Sequence, residues 1–211
     1  DETPKKKRTV INARGTAKDY SLNVAATKWD IQDIKGIPQK KVTPSAADQK
    51  EIGRERSDLK KALADKLNKN YWEKGFVMPV KGRISGHFGG QRIMNGRKMN
   101  PHQGTDIAAP EGTPVKAASN GIVRLSGGNY FYSGNPVVTP HGHRLFTIYA
   151  HLKKTSVKPG DYVKQGQVIG EVGKTGRVTG PHLHWGASLN GVRFTPESLL
   201  HMNNADFCFN L

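Results

Sequence analysis

Cysteine is almost missing from this chain of 211 residues. Cys208 stands alone, which rules out an intrachain disulfide and any cysteine-rich zinc site. No apolar run approaches the roughly 20 residues of a membrane span, so no transmembrane segment is expected. Acidic side chains are scarce, 17 against 33 basic ones, for a formal net charge of +16. Such a field favours an anionic partner, whether nucleic acid, a membrane surface or a polyanionic cell wall. The excess is spread along the chain, and the one dense run, Lys5-Lys6-Lys7-Arg8, reads as a solvated terminus. There is no GxGxxG fingerprint after a strand, no P-loop, no GxSxG elbow and no internal repeat. A recognition motif and a basic–aromatic array are missing too, so no nucleic-acid partner is expected. The chain starts at Asp1 with neither an initiator Met nor a signal peptide, so its address is not read from the terminus. What it has in plenty is Gly and Pro, 24 and 12. These breakers predict many short strands joined by turns rather than a helical bundle.

The pattern divides the chain into an N-terminal accessory β region (1–42), a linker helix (43–75), a large domain (76–200) and a tail (201–211). Short β-like stretches fall at 9–13, 20–25 and 31–34. They are too few for an independent core. The helix has Thr43 as a cap, Pro44 at its first position and Asp48 and Glu51 near its start. Its apolar stripe is Ile52, Leu59, Leu63, Leu67 and Tyr71, and Gly75 would stop it. Beyond residue 76, apolar runs at 121–125, 136–139, 145–149, 161–163, 167–172 and 182–185 recur every eight to twelve residues. That spacing belongs to an all-β sandwich or open barrel. The fold class is therefore mainly β: a small antiparallel β sandwich or open barrel with an N-terminal β-plus-helix accessory region.

The histidines carry the chemistry. His182-Leu-His184 sits in a strand-like run, where residues i and i+2 point to the same face. His102-Gln-Gly-Thr-Asp106 sets an imidazole four residues from a carboxylate. Pro101, Gly104 and Pro110 argue against a helix there. On a straight strand the two groups would stand roughly 13 Å apart. The chain must curl at Gly104 if both are to reach one ion. Imidazole and carboxylate suit zinc, and two His with one Asp leave a fourth position for water, as in a catalytic site. Neither pair alone specifies a metal. A third histidine after an apolar strand, in Tyr149-Ala-His151-Leu152, strengthens the reading.

The segments His102-Gln-Gly-Thr-Asp106, Tyr149-Ala-His151-Leu152 and Gly180-Pro-His-Leu-His184-Trp185 resemble the three signature segments of the lysostaphin/LytM-type peptidoglycan metalloendopeptidases. The flanks match as well: Asp106-Ile-Ala-Ala-Pro110, His141-Gly142, Lys158-Pro-Gly-Asp161 and Gly176-Arg-Val-Thr-Gly180. The resemblance spans about residues 76–200, and the stretch from 41 to 56 resembles the linker of Gram-negative members that carry an accessory β domain. It implies one zinc ion held by His102, Asp106 and His184, with His151 and His182 as catalytic histidines. It also implies peptidoglycan as substrate, with the D-Ala to diaminopimelate bond preferred, and a place in the periplasm or cell envelope. A regulatory or inhibitor protein is a further expected partner. Members that have lost ligands act as non-catalytic regulators of other wall hydrolases, but this chain keeps all five positions.

The remaining residues have plainer expectations. His141 and His143 read as turn or loop residues, with a modest specificity role conceivable for His143. His201 reads as surface, and Trp185 as packed beneath a strand. His87 could form a groove wall. The family shows Phe-Gly-x-Arg where this chain has one extra residue between Gly89 and Arg92. The aromatics of 129–132 fit either a groove or a core. Residues 1–75 are expected to dock on the large domain and limit access to its groove.

Overall fold

The structure is a computed structural model; it describes residues 28–202 in full, together with the backbone of two strands before them. Those strands, β1 (Lys7–Ala13) and β2 (Thr16–Leu22), form an antiparallel hairpin. Lys5, Lys6, Cys208, the end of the expected 20–25 strand and most of the 201–211 tail lie outside the described residues.

Then come β3 (Ile31–Ile34), a short α1 (Gln39–Val42) inside the expected β region, and α2 (Ala46–Ala62). The strands that follow are β4 (Arg83–Gly86), β5 (Gln91–Met94), β6 (Arg97–Lys98), β7 (Thr105–Ala108), β8 (Pro114–Lys116), β9 (Gly121–Ile122) and β10 (Leu125–Ser126). The last seven are β11 (Asn135–Pro140), β12 (Leu145–Leu152), β13 (Lys154–Thr155), β14 (Tyr162–Val163), β15 (Val168–Glu171), β16 (His182–Leu189) and β17 (Val192–Phe194). The fold is mainly β, as the breaker-rich sequence predicts.

The main sheet runs β10-β11-β12-β16-β7-β4, with β17 on the far end of β16, and every pairing in it is antiparallel. Strand alternation gives this sheet two faces. Leu183, Trp185 and Ala187 of β16, Ile107 of β7 and Tyr149 of β12 join one core with Val115, Val163 and Ile169 of the smaller sheets. Trp185 is fully buried there, packed beneath its strand as expected. The opposite face carries Phe146 and Ile148, which pack against Leu59, Ala62 and Leu63 of the α2 end. On the same face, carried by the neighbouring β16 and β7, stand His182, His184 and Asp106.

The helix is shorter than its apolar pattern suggests. Ser45, not Thr43, is the N-cap: its hydroxyl accepts from Asp48 N while the Asp48 carboxylate accepts from Ser45 N, a reciprocal box that satisfies two end donors. Thr43 instead closes α1. The helix stops at Ala62, not Gly75. Beyond it, Asp65 accepts from Leu67 N at 2.8 Å, Leu67 O accepts from His143 N at 2.8 Å, and Tyr71 N donates to His141 O at 2.9 Å. The backbone that would have continued the helix is thus bonded to the turn before β12. Gly142 (φ +97) fits beneath this strap; a Cβ there would meet Lys69 O at 2.0 Å.

The N-terminal segment also joins the large domain through a sheet. β3 pairs with β5 in parallel and β6 completes the trio, the exception to antiparallel pairing among the described strands. Ile34, Ile37, Val42, Met94 and Met99 form its small core.

Candidate metal centre

Three expected donors meet at the crossing of β7 and β16. These strands pair His184 with Asp106 in register. His102 lies in the loop just before β7. Gly104 lets that loop press close: a Cβ would come within 2.5 Å of Trp185 O and 2.7 Å of the His184 ring. His184 Nδ1 lies 2.9 Å from Asp106 Oδ1, His102 Nε2 lies 3.1 Å from the same oxygen, and the two nitrogens are 3.0 Å apart.

The tautomers follow from the surroundings. His102 Nδ1 is 3.0 Å from the carbonyl of His87, which can only accept, so Nδ1 carries the proton and Nε2 is a bare lone pair. It faces a carboxylate oxygen, another acceptor. The expected groove-wall residue His87 therefore acts through its backbone. Burial would raise the Asp106 carboxyl, but the His102 and His184 rings beside it outweigh this and hold it well below the usual carboxylate range. Burial pushes His184 down to about 4, against the pull of Asp106. Two bare acceptors and a second nitrogen, mutually about 3 Å apart, are poorly served by the single proton of His184. A cation serves all three. Zinc bonded at about 2.0–2.1 Å in a tetrahedron separates its ligands by about 3.3 Å, close to what is seen here. The donor set fits such an ion.

Two more imidazoles flank the cluster. The His182 ring stands 4.9 Å from that of His151, and the His151 ring 5.9 Å from that of His184. His182 Nδ1 donates to Gly180 O and His151 Nδ1 to Thr175 O, both at 2.9 Å, so each ring turns Nε2 toward the cluster, that of His182 lying 3.8 Å from Asp106 Oδ1. Burial, helped by the nearby His182 and His184, keeps His151 well below the usual imidazole range and hence neutral. His151 reaches the site through a bulge. Tyr149 and Leu152 both point into the main core, although strict alternation would separate them. The register of β11 against β12 shifts there, and His151 adopts φ +66. The extra residue turns its ring out of the core toward the other histidines.

The sequence reading missed the support of Asp106. Arg92 Nη2 forms a short ion pair with Asp106 Oδ2, and Arg92 Nε donates to Gln32 Oε1 of β3 at 3.2 Å. The extra residue before Arg92 is absorbed by the Gly89-Gly90 turn, where Gly89 (φ +81) receives the face of Trp29. His141 lies in the loop between β11 and β12 as expected, yet it is fully buried there, with Nδ1 donating to Asn120 O at 2.6 Å and Nε2 bonded to Thr147 Oγ1 at 2.7 Å. His143 stays in the turn before β12, and His201 is exposed. Of the 129–132 aromatics, Tyr130 and Phe131 are buried, and Tyr132 lies under Arg177. A cleft of about 230 Å³ opens beside the cluster, lined by Asp106, His182, Arg92 and Arg177 together with Gln32 and Ile34 from the N-terminal segment.

Residues 100–196 match peptidase family M23. Over 94% of its length the chain also superposes on a crystal structure of a putative M23 peptidase from Pseudomonas aeruginosa, at a TM-score of 0.72, 31% identity and 75% of that chain. The chain belongs to peptidase family M23. The M23 match contains all five expected site residues but not Arg92. A zinc-containing peptidase from Vibrio cholerae is another solved structure like this M23 chain, with 37% identity, a TM-score of 0.54, and 58% of this chain and 39% of that one covered. Among curated relatives, the peptidoglycan DD-endopeptidase ShyC of Vibrio cholerae is 44% identical over 119 residues. This covers 56% of the present chain but 27% of ShyC, so the M23 chain spans about a quarter of the length of such relatives.

Proposed function

We propose that this chain is a zinc-dependent peptidoglycan endopeptidase of the cell envelope, with residues 76–200 as its catalytic part and 1–75 as an accessory part. The observation that carries this reading is the convergence of His102 Nε2, Asp106 Oδ1 and His184 Nδ1 within 4.8 Å of one another, beside two imidazoles that turn Nε2 toward them. His102, Asp106 and His184 would hold the ion. When bound, zinc supplies a Lewis acid for the scissile carbonyl and acidifies water. His151 and His182 then divide the proton work: one takes the proton from the attacking water and returns it to the leaving amine, and the other steadies the developing oxyanion. The Thr175 and Gly180 carbonyls hold Nδ1–H on both rings, which leaves a lone pair at Nε2 of the one that acts as base, while the one that steadies the oxyanion does so with a second proton at Nε2. Arg92 holds the second oxygen of Asp106, leaving the first for the ion. No serine or cysteine nucleophile is required.

The likeness to a DD-endopeptidase supports cleavage of D-Ala to diaminopimelate cross-links, and the charge of +16 suits an anionic wall. The test is zinc content beside turnover of cross-linked dimer muropeptides. His102→Ala, Asp106→Ala and His184→Ala should lose metal and activity together. His151→Ala and His182→Ala should keep zinc and lose rate by roughly 10² to 10⁴, the worth of one acid–base group. Zinc binding without turnover of the dimers by the unaltered chain would favour a non-catalytic regulator. Cleavage of pentaglycine alone would overturn the choice of bond.

A further inference from the structure

We propose that Arg177 recognises the free carboxylate of the residue whose nitrogen is released by the cut, and so tells a wall cross-link from an ordinary peptide bond. This rests on the endopeptidase reading above and adds the group that would select the substrate.

Arg177 lies between β15 and β16, in the segment that leads into His182. Its backbone N donates to Tyr132 O at 2.9 Å, and its guanidinium stacks 4.4 Å from the centre of the Tyr132 ring. The side chain lines the cleft that also holds Asp106 and His182. Among the described residues no carboxylate pairs with it. Glu55 of α2, the acid whose charge reaches Arg177, spends its two oxygens on Tyr132 N and Ser133 N, each at 2.9 Å. The other guanidinium of the cleft, Arg92, is taken by Asp106 and Gln32. Arg177 is thus a half-buried cation with one face on an aromatic ring and, among the described residues, no ion-pair partner; Glu55 acts on it only from a distance. Burial already lowers its pKa. Desolvating a charge without a partner costs free energy, and a structure keeps such a group where a ligand completes it. Stacking leaves the edge of the guanidinium, with its forked N–H donors, for a planar anion.

The expected substrate offers such an anion in the right place. In a D-Ala to diaminopimelate cross-link the carbon next to the scissile nitrogen bears a free carboxylate. Inside an ordinary polypeptide the same carbon bears another amide. A cation in the cleft beside the metal cluster therefore reads a feature that separates the two.

The test compares two dimer muropeptides with the full zinc-loaded chain, one with that carboxylate free and one with it converted to the carboxamide. The unaltered enzyme should prefer the free acid by about 10- to 100-fold in kcat/KM, the range of a charge-assisted hydrogen-bonded pair. Arg177→Met should abolish the preference by raising KM for the acid and leaving the amide unchanged, and Arg177→Lys should keep part of it. Calorimetric binding of both dimers to the His151→Ala variant should give the same ratio without turnover. A merely structural arginine would depress both substrates alike and leave the ratio intact. Equal cleavage of acid and amide by the unaltered chain would sink the proposal and spare the endopeptidase reading. Failure to cut either dimer would take down both. If Arg177→Met does not fold, the ratio for the unaltered chain and for Arg177→Lys decides.

Discussion

Arg92 shows how a distant side chain sets the donor strength of a carboxylate. It holds one oxygen of Asp106 and is itself held by Gln32, so a residue of β3 reaches the cluster through two contacts. Partners of this kind typically change metal affinity by 10–100-fold when removed. Arg92→Met should therefore weaken zinc binding by about that factor, read by competition with a chelator, and Gln32→Ala should weaken it less. A zinc affinity unchanged in Arg92→Met would show that the ion pair does not tune the ligand. His141 leads to a pH effect. Burial pushes it down to about 4 from an ordinary 6.5. The unfolded chain takes up a proton at His141 below pH 6.5, whereas the folded chain resists until about 4. Its contribution to stability is therefore complete above 6.5 and lost as pH falls through 4, a change of about 3 kcal/mol. Denaturant melts across that interval should be shallower in pH for His141→Asn than for the unaltered chain. The three signature segments were legible because each is local, with its ligands a few residues apart. Arg92, the His87 carbonyl and the buried bonds of His141 were not, because they depend on chain that is far away in sequence.

Secondary-structure elements explain what local spacing could not. The apolar stripe located α2 and its packing residues Ile52, Leu59 and Leu63, yet periodicity continued past the true end. Asp65, which accepts from Leu67 N, and the turn at 141–143, which binds the backbone of Leu67 and Tyr71, hold the chain beyond Ala62 out of the helix. The bulge in β12 is similarly invisible, since Tyr149 to Leu152 reads as an ordinary strand with a histidine in it. α2 does more than cover the sheet. Glu55 is 4% exposed and binds two backbone N–H groups of the loop that carries Tyr132 and Ser133; Ser133 O in turn accepts from His151 N at 2.9 Å. Glu55→Ala would leave both part-buried donors without this partner. A loss of roughly 3 kcal/mol is expected in urea unfolding, from two hydrogen bonds to a charged group. Zinc content should be unchanged, because none of the three donors is touched.

Across the whole molecule, the N-terminal segment docks as expected but is built into the site instead of resting on it. β3 supplies Gln32, α2 supplies Glu55, and its last turn covers Phe146 and Ile148. On sequence alone, a chain beginning near Phe76 should be at least as active. The contacts now predict a different result: lower thermal stability, weaker zinc binding and a tendency to associate through the uncovered sheet face. Melting temperature, chelator competition and light scattering of that truncation check all three, and a truncation equal to the full chain in each would restore the view of a simple lid. The parallel pairing of β3 with β5 also bears on how such enzymes can be recombined. The match to the family model begins at residue 100, which makes that position an inviting junction for exchanging modules. A graft cut there would carry all three donors across but leave behind β4 at the sheet edge, the carbonyl that orients His102 and the arginine that braces Asp106. The recipient would inherit the three donors without their scaffolding, so on the proposed reading a junction before β3 is the one expected to transfer a working centre.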